Sequence, residues 1–501
     1  MDYQTYVEAF RLTPGAEKRQ REALGAGEPL LSFILMDEGE ISGLRRSLQT
    51  QSCSRFEVLT EKEEGLPHQR VVQEDSLHRR ALAARGKGIL FLPRGSRLTP
   101  ECVYHLGRAL LEGGELVFGD EDTLLHGRRQ EPLFKPGRGD FTLLSGNYMG
   151  RCVALEKNAY RRCGGLQAWS PEALWDMLLR AEEQGIVARH IPLILLSLPK
   201  EKSAPASWPA QRAMYRRGLG GFAEKSGIPG VFALRPAVKK PSLVSMLLPC
   251  SGTLFPLKRL LEWVERRSVY PYYEWILLCP DRLQEDTRRY LHALEKNGAA
   301  RVLLSKASLP VQLNMGAREA RGECLLFMEE GCLPRTADFM GWLFAWAMAP
   351  GVAAVGGKRE LHPGVALLPG GLPGVAPTLI KEGSFWTDRL RSVSCLPAGG
   401  TMLRRQVFLS AGGFDEDLTE GGHMEALCLK LGRCVYCPQA VFELEGAAVR
   451  NDPLPDTAPY RDIFRPLFIR GDPLFTPQLR YGSLELNLPP RPPEPLQKKN
   501  R

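Results

Sequence analysis

Charge of one sign is nowhere gathered in this sequence. The 501 residues carry 66 Lys and Arg against 57 Asp and Glu, a formal +9. The basic residues come in scattered pairs such as Arg79-Arg80, Arg128-Arg129, Arg161-Arg162 and Lys239-Lys240. Such a surface attracts anions of any kind, and with no basic stripe interleaved with aromatics, nucleic acid is not an expected partner. Also missing behind Met1-Asp2-Tyr3-Gln4 are a basic n-region and an apolar h-region, so the expected place is the cytoplasm, including the inner face of the membrane. Long uncharged runs are scarce. One, residues 339–357, is split by Pro350-Gly351 into pieces too short to span a bilayer. It reads as a core helix over Phe339–Ala349 and a short strand over Val352–Val355, with peripheral membrane contact left open. The 12 cysteines lack paired metal spacing: Cys434-Val-Tyr-Cys437 has no second Cys/His pair nearby and alternates like a strand. Buried, reduced thiols are expected.

What is present is an ordinary globular composition, 44% hydrophobic and 25% charged, and a duplication. Ala83 to Gly95 read A-A-R-G-K-G-I-L-F-L-P-R-G, and Glu319 to Gly331 read E-A-R-G-E-C-L-L-F-M-E-E-G. In each, a helical segment stops at a glycine, an uncharged apolar run follows, and polarity returns abruptly. That is the grammar of helix, buried strand and loop. Three further landmark pairs repeat in the same order. Leu30–Met36 matches Leu243–Pro249, Phe56–Leu59 matches Tyr273–Leu278, and Cys152-Val-Ala-Leu with Cys163-Gly-Gly-Leu matches Gly400-Thr-Met-Leu with Ala411-Gly-Gly-Phe. Strands alternating with helices in both copies predict two tandem α/β domains with mostly parallel sheets, Ile89–Leu92 and Leu325–Met328 being equivalent strands.

The expected bounds are a helical lead-in at 1–28, with Tyr3, Tyr6, Val7 and Phe10 on one face, a first domain at 29–199, a linker at 200–240 and a second domain at 241–446. The linker holds one basic helix-like piece, Trp208–Lys225. An extension at 447–501 ends in a Pro-rich basic tail, 488–501, expected to be disordered.

The run P-S-L-V-S-M-L-L-P, then Y-P-Y-Y-E-W-I-L-L, L-N-M-G-A-R-E-A-R-G-E-C-L-L-F and C-L-P-A-G-G-T-M-L-R-R-Q-V-F-L-S-A-G-G-F-D-E-D-L, resembles the family 2 glycosyltransferases of GT-A fold. F-G-D-E-D-T-L-L-H-G-R-R-Q-E-P-L-F-K-P with L-L-S-G-N-Y-M resembles their tandem-domain members that build surface polysaccharides. The resemblance implies two Rossmann-like nucleotide-diphospho-sugar transferase domains. It further implies inverting transfer of a sugar to an acceptor hydroxyl, a carboxylate-held Mg²⁺ or Mn²⁺ on the donor diphosphate, and a carboxylate base. The partners it implies are a nucleotide-sugar donor and a glycan or lipid-linked acceptor.

Residue by residue the family pattern is degenerate. The metal motif becomes Glu329-Glu330-Gly331 in the second copy and Pro93-Arg94-Gly95 in the first; Cys279 stands where an aspartate usually ends the second strand. Glu329 and Glu330 could hold a cation through oxygen, or be solvated loop residues. Asp120 and Asp122 of Asp120-Glu121-Asp122 follow an apolar run, so they are expected at a strand end as metal ligands, the plainer alternative being an acidic turn. Glu425, displaced one residue from the family register, is the candidate base in the second copy; in the first, Leu174 occupies that position and only Asp176 remains. Asn314, Arg318, His362 and Lys135 are the candidate donor or substrate contacts, the first three with a structural alternative. Two functions follow: an active glycosyltransferase acting on surface polysaccharide, the second domain being the catalytic candidate, or an inactive GT-A scaffold that binds a glycan, a nucleotide or a partner transferase.

Overall fold

The structure, a computed structural model, describes residues 2–36, 39–74, 76–166, 168–200, 205–367, 379–381, 386–419, 421–445, 458–480 and 485–487. The expected Pro-rich tail, 488–501, lies outside them. The chain divides into two compact units, one of residues 1–213 with 473–480 and 485–501, the other of residues 214–472 with 481–484.

In the first unit the strands are β1 (Leu31–Met36), β2 (Phe56–Thr60), β3 (Gln69–Val71), β4 (Gly88–Pro93), β5 (Arg97–Leu98), β6 (Leu116–Leu125), β7 (Arg128–Leu133), β8 (Val153–Glu156) and β9 (Ala188–Pro199). They form one sheet ordered β3-β2-β1-β4-β8-β6-β9-β5, with β7 on β6. The second unit opens with a hairpin of β10 (Phe222–Lys225) and β11 (Phe232–Arg235). Its large sheet holds β12 (Val244–Pro249), β13 (Tyr273–Pro280), β14 (Ala300–Ser305), β15 (Cys324–Phe327), β16 (Cys332–Pro334), β17 (Ala354–His362), β18 (Val365–Leu367), β19 (Leu379–Lys381), β20 (Arg391–Val393), β21 (Thr401–Arg404) and β22 (Cys434–Leu444). Its order runs β14-β13-β12-β15-β21-β17-β18-β19, and β22 pairs with β16, β17 and β20.

The two sheets match strand for strand. β1 lies parallel between β2 and β4, as β12 lies between β13 and β15. β8 and β21 run antiparallel beside β4 and β15, and β9 and β22 run parallel beside β6 and β17. The expected equivalence of the two apolar runs therefore holds: β4 and β15 occupy the same place. Both ladders also bulge at the same step, between Gly119 and Asp120 and between Gly357 and Lys358, where the facing strands carry Pro192 and Pro438. Proline has no N–H to give the ladder, so a bulge there accommodates it.

A buried polar latch accounts for the repeated Ala-Arg-Gly. On β1 the Ser32 hydroxyl donates to Glu57 Oε1 of β2 (2.6 Å) and accepts from Gly86 N (2.8 Å), while Arg85 N donates to the same carboxylate (2.5 Å). The second unit repeats it: Ser245 Oγ donates to Glu274 Oε1 (2.6 Å), Gly322 N donates to Ser245 Oγ (2.9 Å), and Arg321 N donates to Glu274 (2.8 Å). The glycines are required by closeness, because a Cβ on Gly86 or Gly322 would sit 2.7 or 2.6 Å from the backbone nitrogen of that serine. Cores then fill one face of each sheet. Leu31, Phe33, Leu90 and Val117 meet Val103, Leu106 and Leu110 in the first unit, and Leu247, Ile276, Leu325 and Phe327 meet Phe408, Phe414 and Leu427 in the second.

Three local expectations are corrected. Asp120-Glu121-Asp122 is not at a strand end: β6 continues to Leu125, because the hairpin to β7 carries its pairing onward. The strand expected at Val352–Val355 is β17, running from Ala354 to His362. The helix-like piece Trp208–Lys225 is a helix only over Trp208–Arg216, its end being strand β10. Among the described residues, no helix is long and apolar enough to cross a membrane.

Candidate active site

In open α/β sheets, ligands sit beyond the carboxyl ends of the strands where the strand order reverses. In the second unit that point is the end of β12 and β15, and Glu329 and Glu330 follow β15 after Met328. Glu329 Oε1 accepts from Gly399 N (3.1 Å) and Oε2 lies 3.4 Å from Arg359 Nη2 on β17. Gly399 permits this approach, since a Cβ there would stand 2.8 Å from the carboxylate. Glu330 has its Oε1 buried and unpartnered; burial raises its carboxyl above the ordinary value, and Ser251 after β12 opposes the rise.

Glu425 comes from another direction, in the first turn of the helix His423–Leu431. Burial pushes its carboxyl up to about 7; the charge of Glu329 adds to this and that of Arg359 opposes it. Glu329, Arg359 and Glu425 thus interact as one group, assembled from the end of β15, the middle of β17 and a helix start. A carboxyl poised near neutrality suits proton transfer.

The other candidates are placed elsewhere. Asn314 is buried, and its amide is spent on the loop before that helix: Nδ2 donates to Phe414 O (3.0 Å) and Glu416 Oε1 (2.9 Å), and Oδ1 accepts from Phe414 N (2.8 Å). Arg318 is exposed. His362 is exposed at the end of β17, Nδ1 lying 3.2 Å from Pro363 O.

In the first unit the acids form a closed knot. Asp120 is fully buried and meets Lys135 N (3.0 Å), His190 Nε2 (2.7 Å) and Gln478 Nε2 (2.6 Å). Glu121 Oε1 accepts from the amides of Arg151 and Cys152. Asp122 Oδ2 accepts from Tyr3 Oη and from Arg129 Nε (2.6 Å), and its Oδ1 is buried without a hydrogen-bond partner. Lys135 is fully buried, donating to Gly119 O (2.6 Å) and Met149 O (2.8 Å), with Glu121 at 3.4 Å. A lysine so enclosed supports the fold. Pro93-Arg94 supplies only Arg94, paired with Glu64 at 2.6 and 2.8 Å, and Asp176 is taken by Arg180 (2.9 Å).

The donor set does not fit the divalent cation that the family resemblance implies. Mg²⁺ and Mn²⁺ ask for several oxygens converging on one point. Here Glu329 already faces a guanidinium, Glu330 has a buried oxygen without a hydrogen-bond partner, and the oxygens of Asp120 face protein donors. Among the described residues, no three His, Cys, Asp or Glu side chains group so as to hold a metal ion.

Sequence reasoning missed Arg359. Phe118 of β6 faces Val153, and Gly356 of β17 faces the equivalent Thr401, so Asp120, Glu121 and Asp122 correspond to Lys358, Arg359 and Glu360. The signal was present: Val117-Phe-Gly-Asp-Glu-Asp lines up on Val355-Gly-Gly-Lys-Arg-Glu.

No family model matches the chain. It is 26% identical over 477 residues to "O-antigen biosynthesis protein RfbC" of Myxococcus xanthus, a match covering 87% of this chain and 36% of that protein. A second relative, "Uncharacterized protein y4gI" of Sinorhizobium fredii (strain NBRC 101917 / NGR234), is 26% identical over 390 residues, 70% of this chain and 43% of the relative. The chain therefore spans less than half the length of the curated relatives it matches. Among solved structures, GalNAc-T7 with UDP, GalNAc and Mn²⁺ matches with a TM-score of 0.36 at 13% identity, over 49% of this chain and 51% of that one. By its doubled motifs and the doubled sheet that they build, the chain is two tandem α/β domains of one plan, similar in sequence to a protein named for O-antigen biosynthesis.

Proposed function

We propose that the chain transfers a sugar from a nucleotide-diphosphate donor to a growing surface polysaccharide or glycan, and that the second domain does the chemistry by inversion. The observation that carries this reading is Glu425, its carboxyl raised to about 7, interacting with Glu329 past the end of β15 and with Arg359 on β17. The similarity to a protein named for O-antigen biosynthesis supports the polysaccharide acceptor. In this reading Glu425 takes the proton of the acceptor hydroxyl as its oxygen bonds to the anomeric carbon. The bond from that carbon to the diphosphate oxygen breaks, and the nucleoside diphosphate leaves with the electron pair. A positioned base contributes about a hundredfold to ten-thousandfold.

The test is nucleotide release from a panel of UDP-, dTDP- and GDP-sugars with polysaccharide and lipid-linked acceptors. Glu425→Gln is expected to lower turnover by about two to four orders of magnitude while the protein melts as a folded chain. Unchanged turnover in that variant would remove Glu425 from the mechanism. For the first domain a specific observation favours a non-catalytic role: its acids are engaged by Lys135, Arg129, His190, Gln478 and Tyr3.

A further inference from the structure

We propose that the guanidinium of Arg359, rather than a divalent cation, supplies the positive charge that binds the donor diphosphate and stabilises it as it leaves. The inference rests on reading the second domain as the donor site, and four observations carry it.

The first is position. Arg359 Nη2 lies against Glu329, the residue in the place of the family's metal motif, so a fixed positive charge already faces that carboxylate. The second is spare capacity. The side chain is 13% exposed, its contact with Glu329 is a long 3.4 Å, and its Nε is buried without a partner. Guanidinium has five N–H donors in a planar fork that matches two phosphate oxygens at once, and a diphosphate would satisfy what Glu329 leaves over.

The third is the orientation of the acids. Glu329 spends one oxygen on Gly399 N and turns the other to Arg359, while Glu330 has a buried oxygen without a hydrogen-bond partner. A divalent ion at Glu329 would have to displace the guanidinium or sit beside it, and like charges at such distances repel strongly where water is scarce. The fourth is a comparison inside the chain. At the register of Arg359 the first unit has Glu121, which caps the amides of Arg151 and Cys152. In the second unit the equivalent amide, Gly399 N, is capped by Glu329 instead. With that amide capped from the end of β15, the β17 position can carry a cation, and Glu329 becomes a positioning residue that orients it.

The experiment is calorimetric titration of the full-length protein with UDP, dTDP, GDP and inorganic pyrophosphate, in EDTA and in Mn²⁺, together with Arg359→Ala and Arg359→Lys. At least one nucleotide is expected to bind in EDTA within about threefold of its affinity in Mn²⁺. Arg359→Ala is expected to weaken it by about tenfold or more, and Arg359→Lys, which keeps the charge but loses the fork, by less. Melting curves of both variants separate lost binding from lost fold; should Arg359→Ala not fold, the lysine variant in EDTA decides. Binding that requires Mn²⁺, or that is indifferent to Arg359, overturns the inference while leaving the donor site standing. No binding of any nucleotide or of pyrophosphate in either condition overturns the donor-site reading itself.

Discussion

Glu425 sits where burial penalises its charge, with Glu329 adding to the penalty and Arg359 relieving part of it. A base must be ionised to act, so kcat/KM should rise with pH and level off above a midpoint near 7. The neighbours fix the sign of two further shifts: Glu329→Gln should move that midpoint to lower pH, and Arg359→Gln should move it higher. A pH–rate profile of the three proteins checks both, and a midpoint that stays put in each would mean that the group does not interact as described. Stability follows from the same carboxyl. Between its ordinary 4.5 and about 7 the native state holds a proton that the unfolded chain has lost, so this group's contribution falls as pH rises through that window. Glu425→Gln should therefore melt higher than the parent at pH 8, by up to about 3 kcal/mol in stability, and show no such advantage at pH 4. The residue type and helix start of Glu425 were legible in the sequence, whereas its partner was not. Nor was the use of Asn314, because an amide that closes a loop and an amide that binds a ligand have the same letter.

At the scale of the element, the doubled stretch was legible because each of its letters meets a local demand. Arginine gives an amide to a buried glutamate, glycine gives one to a serine, and only glycine fits against β1 or β12. Gly86→Ala and Gly322→Ala should each cost about 1–3 kcal/mol, since the added carbon meets backbone and a buried side chain that cannot swing away. Urea unfolding of the two variants measures this; a loss under half a kcal/mol in both would show that β1 and β12 can yield. Burial alone would raise the Glu57 carboxyl, but Arg70, Ser32 and the Arg85 amide outweigh it and hold the group below its ordinary value. That contribution is present above the ordinary carboxylate range and is lost as pH falls through the lowered value. Ser32→Ala should therefore shrink the acid-induced loss of stability. Strand ends were less legible than strands. Nothing in Asp120-Glu121-Asp122 announces that β6 runs on through it, since its acidity is offset by Arg129, Lys135 and His190 from neighbouring segments and by Gln478 far along the chain.

At the scale of the whole molecule, one sheet plan has been used twice with the charge reversed at two of three matching positions. Where the second unit places Lys358-Arg359-Glu360, the first places Asp120-Glu121-Asp122, and its acids face inward onto the unit's own two ends. Tyr3 reaches Asp122, Gln478 reaches Asp120, and Tyr6 packs with Phe134 and Ile194 beside Leu479 and Leu486. Acids committed in this way support structure, so substitutions among them should act on stability and leave turnover alone. Gln478→Leu removes one donor from a fully buried carboxylate and should cost about 1–3 kcal/mol. The loss should be local. Amide exchange should speed up by about tenfold or more across β6, β9 and residues 3–10, and stay unchanged across Leu254–Arg267 of the second unit. Donor-dependent nucleotide release should match the parent. Slower release with unchanged exchange would place Gln478 and the acidic knot in the chemistry; faster exchange with unchanged release would leave the first unit as the stabilised copy and the second as the one with charge to spare for a ligand.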